Sequence, residues 1–176
     1  MIIGIDCSTS VTAICILDTT GKIINIDALD FTNKKKFPTL FSKAQAIEDF
    51  FIKLKNQYSV DKITIEAALL GFRPGMSSAT TISALQRFNG IVSWLCYKTF
   101  NMEPLYLSAT SARKICGISI KKGVKAKLVV MEHLIVNEPQ FLPYVMYTRT
   151  GSIKTSCYDK ADSYIIAKAS LTLPSE

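Results

Sequence analysis

The sequence predicts an α/β fold in which helices flank a mixed five-stranded sheet. Three short runs rich in Ile, Val and Thr occupy residues 2–31, and turn signals separate them. Two more strand patterns occur later in the chain, each after a stretch with helical spacing. The predicted order is therefore β-β-β-α-β-α-β-α-α-α, which joins an antiparallel three-stranded meander to parallel strands.

Polar turn sequences bound the strands of the meander. Residues 8–10 follow the first strand, and residues 18–21, with Gly21 at the end, follow the second. The three predicted strands are residues 2–7, 11–18 and 22–31. Pro38 then opens an amphipathic helix that ends near Tyr58, because apolar residues recur there at helical spacing.

The rest of the chain alternates helices with two further strands. Ile63 and Ile65 alternate with polar neighbours, which predicts a strand at residues 61–67 followed by a loop at 68–75. The remaining predicted elements are a long helix at 77–100, a strand at 105–107 and helices at about 111–116, 124–136 and 156–171. Residues 137–155 show no sustained periodicity, and connections of this length are usually functional or mobile.

Length and composition favour one domain that spans residues 1–176. The chain has 176 residues, is 48% apolar and 20% charged, and carries a net charge of +7. Apolar usage at this level excludes a largely disordered chain, and the longest apolar stretch is too short to cross a membrane. The basic excess favours a polyanionic partner.

Cysteine usage and the opening residues indicate the compartment. The five cysteines include no Cys-x-x-Cys pair, so we expect reduced thiols without a disulfide framework or a zinc site. Residues 1–6 lack the basic region of a secretory signal and reach an acid early. We therefore expect an intracellular, cytoplasmic protein.

Two acids occur where strands should be buried. Asp6 ends the apolar first strand, and Glu66 ends the strand formed by Ile63 to Ile65. Acids are disfavoured in buried strands, so both are candidate functional residues. The alternatives are a turn or cap at Asp6 leading into residues 8–10, and an ordinary strand-end acid at Glu66.

Two more acids lie on one face of the last predicted helix. Asp159 and Asp162 are three residues apart, and Asp162 shares its helix face with Ile165 and Ile166. A carboxylate on an apolar stripe calls for a cation or a basic partner. For Asp159 the alternative is a helix cap, because Ser156 precedes it by three residues in a capping-box pattern.

The four carboxylates together predict a metal centre. Asp6, Glu66, Asp159 and Asp162 would supply only oxygen ligands, which suit Mg²⁺ or Mn²⁺. Two such ions can activate water and stabilise both the transition state and the leaving oxygen of a phosphodiester. The predicted chemistry is metal-assisted phosphodiester hydrolysis.

Three motifs carry a resemblance to a known family. The opening Gly4-Ile5-Asp6-Cys7-Ser8-Thr9-Ser10, the strand Ile63-Thr64-Ile65-Glu66 and the terminal Tyr158-Asp159-Lys160-Ala161-Asp162-Ser163-Tyr164-Ile165-Ile166-Ala167 occur in this order. The chain resembles the RuvC family of Holliday junction resolvases in the RNase H-like superfamily, and the likeness covers nearly its whole length. Residues 7–10, where bacterial members usually have a Pro-Gly pair, resemble the phage and viral branches.

The resemblance implies an RNase H-like fold and a specific activity. Asp6, Glu66, Asp159 and Asp162 would bind two divalent ions, and a homodimer would nick symmetric strands of a four-way DNA junction. The helix at 77–100 would form much of the dimer contact. The protein would act in the cytoplasm, or in the host cytoplasm if its source is viral.

Basic residues cluster in the second half of the chain. Residues 111–154 contain eight basic residues and two acids. Lys121, Lys122 and Lys125 surround Gly123 just before a predicted helix, which favours phosphate binding. The alternative is a solvated lysine turn.

The loop after Glu66 supplies two further candidates for DNA binding. Phe72 and Arg73 lie in this loop, where an aromatic ring could stack on unpaired bases at a junction centre. Resolvases of the resembled type tend to carry an aromatic residue here. Simple packing of Phe72 within the loop is the alternative.

Two other functions share these residues. An RNase H-type nuclease acting on RNA–DNA hybrids or flaps would use the same acids with a different cleft. A non-catalytic junction-binding module would use the basic segment while the acids act as caps. Cleavage assays on junction, flap and hybrid substrates distinguish the three functions.

Overall fold

A computed structural model describes residues 1–68 and 78–174. It contains five strands, β1 (Ile2–Cys7), β2 (Val11–Leu17), β3 (Ile23–Asp30), β4 (Lys62–Glu66) and β5 (Leu105–Leu107). The helices are α1 (Leu40–Gln57), α2 (Ala79–Phe100), α3 (Ala109–Ile115), α4 (Ala126–Asn137) and α5 (Thr155–Ser170), with a 3₁₀ helix at Pro139–Tyr144. The predicted order of strands and helices is confirmed.

The strands form a single mixed sheet in the order β3-β2-β1-β4-β5. The β1–β2 and β2–β3 pairs are antiparallel, as the predicted meander requires. The β1–β4 and β4–β5 pairs are parallel. The carboxyl ends of β1, β4 and β5 therefore meet at one edge of the sheet.

Helices cover both faces of the sheet and enclose two separate cores. Ile3 and Ile5 of β1 pack with α1 and α2, where Phe51 and Phe88 are fully buried. The opposite face packs against α3, α4 and α5, and its core includes the buried Tyr164. Alternate residues of a strand point to opposite faces, so the even-numbered residues of β1 face α5.

Gly4 allows α5 to lie directly on β1. A Cβ atom built at Gly4 would lie 2.5 Å from the carbonyl oxygen of Ser163 and 2.6 Å from the Cβ of Ala167. Only a residue without a side chain permits this approach. The contact fixes the position of the last helix against the first strand.

The segment between α4 and α5 is more ordered than its sequence predicts. The 3₁₀ helix buries Phe141, and Tyr147 pairs with Ile153 in an isolated β-bridge. Gln140 accepts a hydrogen bond from the amide of Ile23 at 2.9 Å and donates one to the hydroxyl of Tyr164 at 3.0 Å. The expectation of a connection without regular structure is therefore wrong for residues 139–144, because Phe141 supplies an apolar anchor.

Two polar contacts hold α5 to the body of the molecule. Glu138 forms an ion pair with Lys168 and accepts a hydrogen bond from Tyr164 at 2.8 Å. At the same C-terminal end of α5, Lys62 of β4 donates to the carbonyl oxygens of Ser170 and Leu173. These contacts link the long connection, the last helix and β4.

Two sequence predictions concern thiols and membranes. All five cysteines are free, as expected, and three of them are buried. Within residues 1–68 and 78–174, no helix is long and apolar enough to cross a membrane.

Candidate active site

The sheet register brings Asp6 and Glu66 together. Ile5 of β1 pairs with Ile65 of β4 in parallel register, so the next residue of each strand is an acid. Even-numbered residues of both strands face α5, since Gly4 touches Ala167 and Thr64 contacts Ser170 through their hydroxyls at 2.7 Å. Both carboxyl groups line the same cleft.

The last helix adds Asp162 to the same place. Asp162 immediately precedes Ser163, whose carbonyl lies over Gly4. Asp162 itself is 7% exposed. A cleft of about 270 Å³ is lined by Asp6, Glu66 and Asp162, together with Arg113 and Lys127. We call this the acidic cleft.

Asp159 lies one turn earlier on α5 and bonds a lysine from α4. Its carboxylate accepts a hydrogen bond from Lys127 at 2.9 Å. The capping alternative for Asp159 is wrong, because α5 begins at Thr155 with Lys154 at the N-cap position. The Asp159 carboxylate therefore lies on the side of α5 that faces α4.

The turn after β1 is held by Ser8. The Ser8 hydroxyl donates to the carbonyl of Val11 at 2.7 Å and accepts from the amides of Ser10 and Val11. A serine two residues beyond Asp6 therefore supplies the side-chain hydrogen bonds that the turn alternative assigned to Asp6. The carboxyl group of Asp6 lines the acidic cleft instead.

Two basic side chains in the cleft were missed by sequence reasoning. A guanidinium nitrogen of Arg113 lies 3.6 Å from Asp162, and Lys127 Nζ lies 3.9 Å from the same residue. Arg113 Nε is buried and has no hydrogen-bond partner within the described parts of the chain. Both residues belong to the basic segment, but only the packing of α3 and α4 against α5 shows which of its members reach the acids.

Burial and mutual repulsion raise the pKa of the Asp6 carboxyl well above its ordinary value. Desolvation is the largest cause, and the charges of Glu66, Asp162 and Asp159 add to it. Lys127 opposes the shift. The raised pKa of Asp6 therefore reflects its burial first and the charges of the neighbouring acids second.

The pKa values of Glu66 and Asp162 are raised as well. Burial, followed by the charge of Asp162, raises the pKa of Glu66, while Arg113 lowers it. Burial also raises the pKa of Asp162, and Lys127 and Arg113 oppose this. Burial alone would lower the pKa of Lys127, but the Asp159 carboxylate raises it, so the lysine stays charged.

The donor set fits a hard divalent cation in its chemistry. Asp6, Glu66, Asp159 and Asp162 supply only carboxylate oxygens, the ligands that Mg²⁺ and Mn²⁺ prefer. Among the residues that the structure describes, no group of three or more acidic, His or Cys side chains has the geometry of a preformed metal site. Instead, Lys127 contacts Asp159 and lies near Asp162, so a cationic group already sits among the acids.

The predicted DNA-binding residues are in two regions. Lys121, Lys122 and Lys125 are exposed on the turn that leads into α4, and Gly123 there has a φ of 85°. Phe72 and Arg73 lie outside the described residues.

Asn89 was not predicted as a site residue. Its side-chain amide donates to the backbone carbonyl of Glu66 at 3.0 Å, and the residue is 7% exposed. This bond ties the end of β4 to α2. Asn89 also lines one side of the acidic cleft. A buried amide within an apolar helix face was the signal available in the sequence.

Solved structures with the same fold include two of Thermus thermophilus RuvC and one of a yeast resolvase. No protein-family model matches the chain, and no curated protein matches it in sequence. The chain aligns with Thermus thermophilus RuvC in complex with a Holliday junction substrate at a TM-score of 0.63 and 10% identity, covering 95% of this chain and 89% of that one. The free Thermus thermophilus RuvC structure gives a TM-score of 0.57 at 11% identity, with 95% and 90% coverage.

A eukaryotic structure has a comparable likeness. The yeast mitochondrial Holliday junction resolvase Ydc2 aligns at a TM-score of 0.59 and 18% identity, covering 96% of this chain and 76% of that one. At these identities the comparisons concern the fold. The chain has the RNase H-like fold of RuvC, as its sequence motifs predicted.

Proposed function

We propose that this protein is a structure-selective endonuclease that resolves Holliday junctions and other branched DNA by phosphodiester hydrolysis. The observation that carries the proposal is the acidic cleft: three carboxylates from β1, β4 and α5 meet at the sheet edge beside Arg113 and Lys127. The likeness to resolvase structures supports the choice of branched DNA. We place the reaction in recombination, repair or viral genome processing, within one domain that spans residues 1–176 and acts in the cytoplasm.

Asp6, Glu66, Asp159 and Asp162 would hold two Mg²⁺ or Mn²⁺ ions. Bound there, the ions would supply a water of lowered pKa and charge compensation for the phosphate. The raised pKa of Asp6, caused by burial and three neighbouring acids, supports a cation requirement at this cleft. The parallel β1–β4 register sets Asp6 and Glu66 side by side, so both carboxylates would be available to the same ions.

The basic residues of the cleft would act on the phosphate itself. Lys127 and Arg113 lie on the side of the cleft formed by α3 and α4, opposite the strand acids. Their charges would hold the nonbridging oxygens of the phosphate that is cut. Lys121, Lys122 and Lys125 would hold neighbouring backbone phosphates, and Phe72 and Arg73 would contact the junction centre.

The cut of both symmetric strands requires two active sites, so we propose a homodimer. The outer face of α2 supports this, because Trp94 is 60% exposed and lies beside Tyr97, with ring centroids 5.8 Å apart. Phe41 of α1 is 78% exposed. Together with Trp94 it lines a groove between α1 and α2. Exposed aromatic residues in one patch are typical of protein interfaces.

A nicking assay on a synthetic four-way junction tests the proposal. Wild-type protein with Mg²⁺ should make paired symmetric nicks, and Asp6→Asn should abolish them while junction binding is retained. Asp49→Asn, on the exposed face of α1, is the matched control and should nick at the wild-type rate. Nicking by Asp6→Asn at the wild-type rate would rule out the proposed metal ligands.

Parallel substrates test the competing functions. Equal or faster cleavage of an RNA–DNA hybrid or a flap would favour an RNase H-type nuclease. Selective junction binding without any metal-dependent nicking would favour a non-catalytic junction-binding module.

A further inference from the structure

A second cavity lies directly beside the acidic cleft. It has a volume of about 580 Å³ and is formed by α3, residues 117–120 and the first residue of α4. Cavities of this size hold small organic ligands in other proteins. We call it the side pocket and define it by Arg113, Lys114, Ile118, Ile120 and Ala126.

The charges around the side pocket favour an anion. Arg113 and Lys114 line it, and residues 104–131 contain six basic residues but no aspartate or glutamate. Ala126 begins α4, and within the described chain no side chain caps this helix start. The first backbone amides of α4 therefore remain available to an anionic group.

The opposite part of the side pocket is apolar. Ile118 is 6% exposed, and Ile120 packs beside it on the core below α5. Aliphatic side chains can contact the face of any base or a sugar ring without selecting a base. The pocket thus combines a basic rim with an apolar wall, which matches the two parts of a nucleotide.

The side pocket and the acidic cleft share a wall. Arg113 lines both cavities. Consecutive residues of α4 divide between them, since Ala126 lines the side pocket and Lys127 lines the acidic cleft. A DNA strand with one phosphate in the acidic cleft therefore has its next nucleotide within reach of the side pocket.

We propose that the side pocket binds one nucleotide of the strand being cut, adjacent to the phosphate in the acidic cleft. The phosphate of that nucleotide lies at Lys114 and the start of α4, and its sugar and base lie against Ile118 and Ile120, while Arg113 stays with the phosphate in the acidic cleft. This assignment rests on the proposed function, because it takes the acidic cleft as the place of cleavage. The site positions the strand and takes no part in bond breaking.

Binding of thymidine 5′-monophosphate to the full chain tests the pocket without cleavage. Amide shifts of Gly117, Ser119 and Ala126 should saturate with this probe in metal-free buffer, and inorganic phosphate should bind more weakly. Lys114→Glu should weaken nucleotide binding about tenfold, because one charge-assisted hydrogen bond to the phosphate contributes about that factor to the affinity. Lys53→Glu makes the same charge change on the exposed face of α1 and should leave binding unchanged.

Three results would overturn the proposal. They are the absence of saturable shifts at these amides, equal affinity for phosphate and the nucleotide, and unchanged binding by Lys114→Glu. Junction nicking by wild type and Lys114→Glu is measured in parallel, where an increase in KM with kcat retained supports the pocket. If the protein binds the nucleotide but does not nick the junction, the side pocket is supported and the nuclease proposal is rejected. If the protein nicks the junction but binds no nucleotide, the nuclease proposal is supported and the side pocket is rejected.

Discussion

Replacing Gly4 by alanine should separate α5 from β1 and disrupt the acidic cleft. The added Cβ would lie 2.5 Å from the Ser163 carbonyl and 2.6 Å from the Ala167 Cβ, and closer still to the Ala167 amide nitrogen, whereas ordinary contacts begin at 3.4 Å. Backbone atoms of a packed helix cannot rotate away as a side-chain end can. The helix must therefore shift by about 1 Å.

The cost follows from overpacking a rigid contact. We expect the free energy of unfolding to fall by about 3 kcal/mol, at the upper end of the usual range for added methyl groups. For a chain of this size, that loss lowers Tm by about 6–12 °C. Because Asp162 immediately precedes Ser163, the same shift moves its carboxylate away from Asp6 and should reduce junction nicking in the folded protein.

Thermal unfolding by circular dichroism measures the first effect, and nicking at a temperature where the variant is fully folded measures the second. Gly90→Ala is the matched control for the thermal measurement, since nothing lies within 4 Å of a Cβ built there. Alanine in this helix interior should stabilise the protein by about 0.5–1 kcal/mol. A Gly4→Ala protein with wild-type Tm and nicking would refute the reasoning.

Three further variants probe other contacts. Hydrogen bonds from Lys168 and Tyr164 outweigh burial and lower the pKa of Glu138, so Glu138→Gln should lose about 1–3 kcal/mol at pH 7. This loss should shrink as the pH falls below the ordinary glutamate pKa and through the lowered one, because wild-type Glu138 then also becomes neutral; a constant difference in urea titrations across pH would contradict it. Trp94→Glu should convert a dimer to monomers in sedimentation experiments while Tm changes little, because the ring is 60% exposed; an unchanged sedimentation coefficient would exclude this face. Lys127→Met leaves Asp159 and Asp162 without their shared cation, so Mg²⁺ should raise the Tm of this variant more than that of wild type, and equal shifts would argue against ion binding there.

The strands, and the meeting of Asp6, Glu66 and Asp162 at one cleft, could be predicted because they depend on local patterns. Ile63 and Ile65 alternate with polar neighbours, and Asp162 interrupts an apolar helix stripe. The helix α1 joins β3 to β4, and β3 runs parallel to β1, so β4 pairs with β1 in parallel and Asp6 lies beside Glu66. Each inference needed only the period of an element and the order of elements.

The basic residues of the cleft could not be predicted in the same way. Arg113 and Lys127 are two of the eight basic residues in segment 111–154, and their own neighbours in sequence do not distinguish them from Lys121 or Lys122. Their roles depend on how α3 and α4 pack against α5, which is a tertiary property. The capping alternative for Asp159 was wrong because a serine three residues before an acid resembles a capping box, although Lys154 occupies the N-cap position.

The contact of Gly4 with Ser163 and Ala167 also has a consequence for biosynthesis. During synthesis β1 emerges from the ribosome well before α5, the helix that covers it. Contacts so distant in sequence close late and slow the final folding step. Until α5 docks, Asp6 and Glu66 lack Asp162, so a chain that stops short of α5 cannot carry a complete acidic cleft.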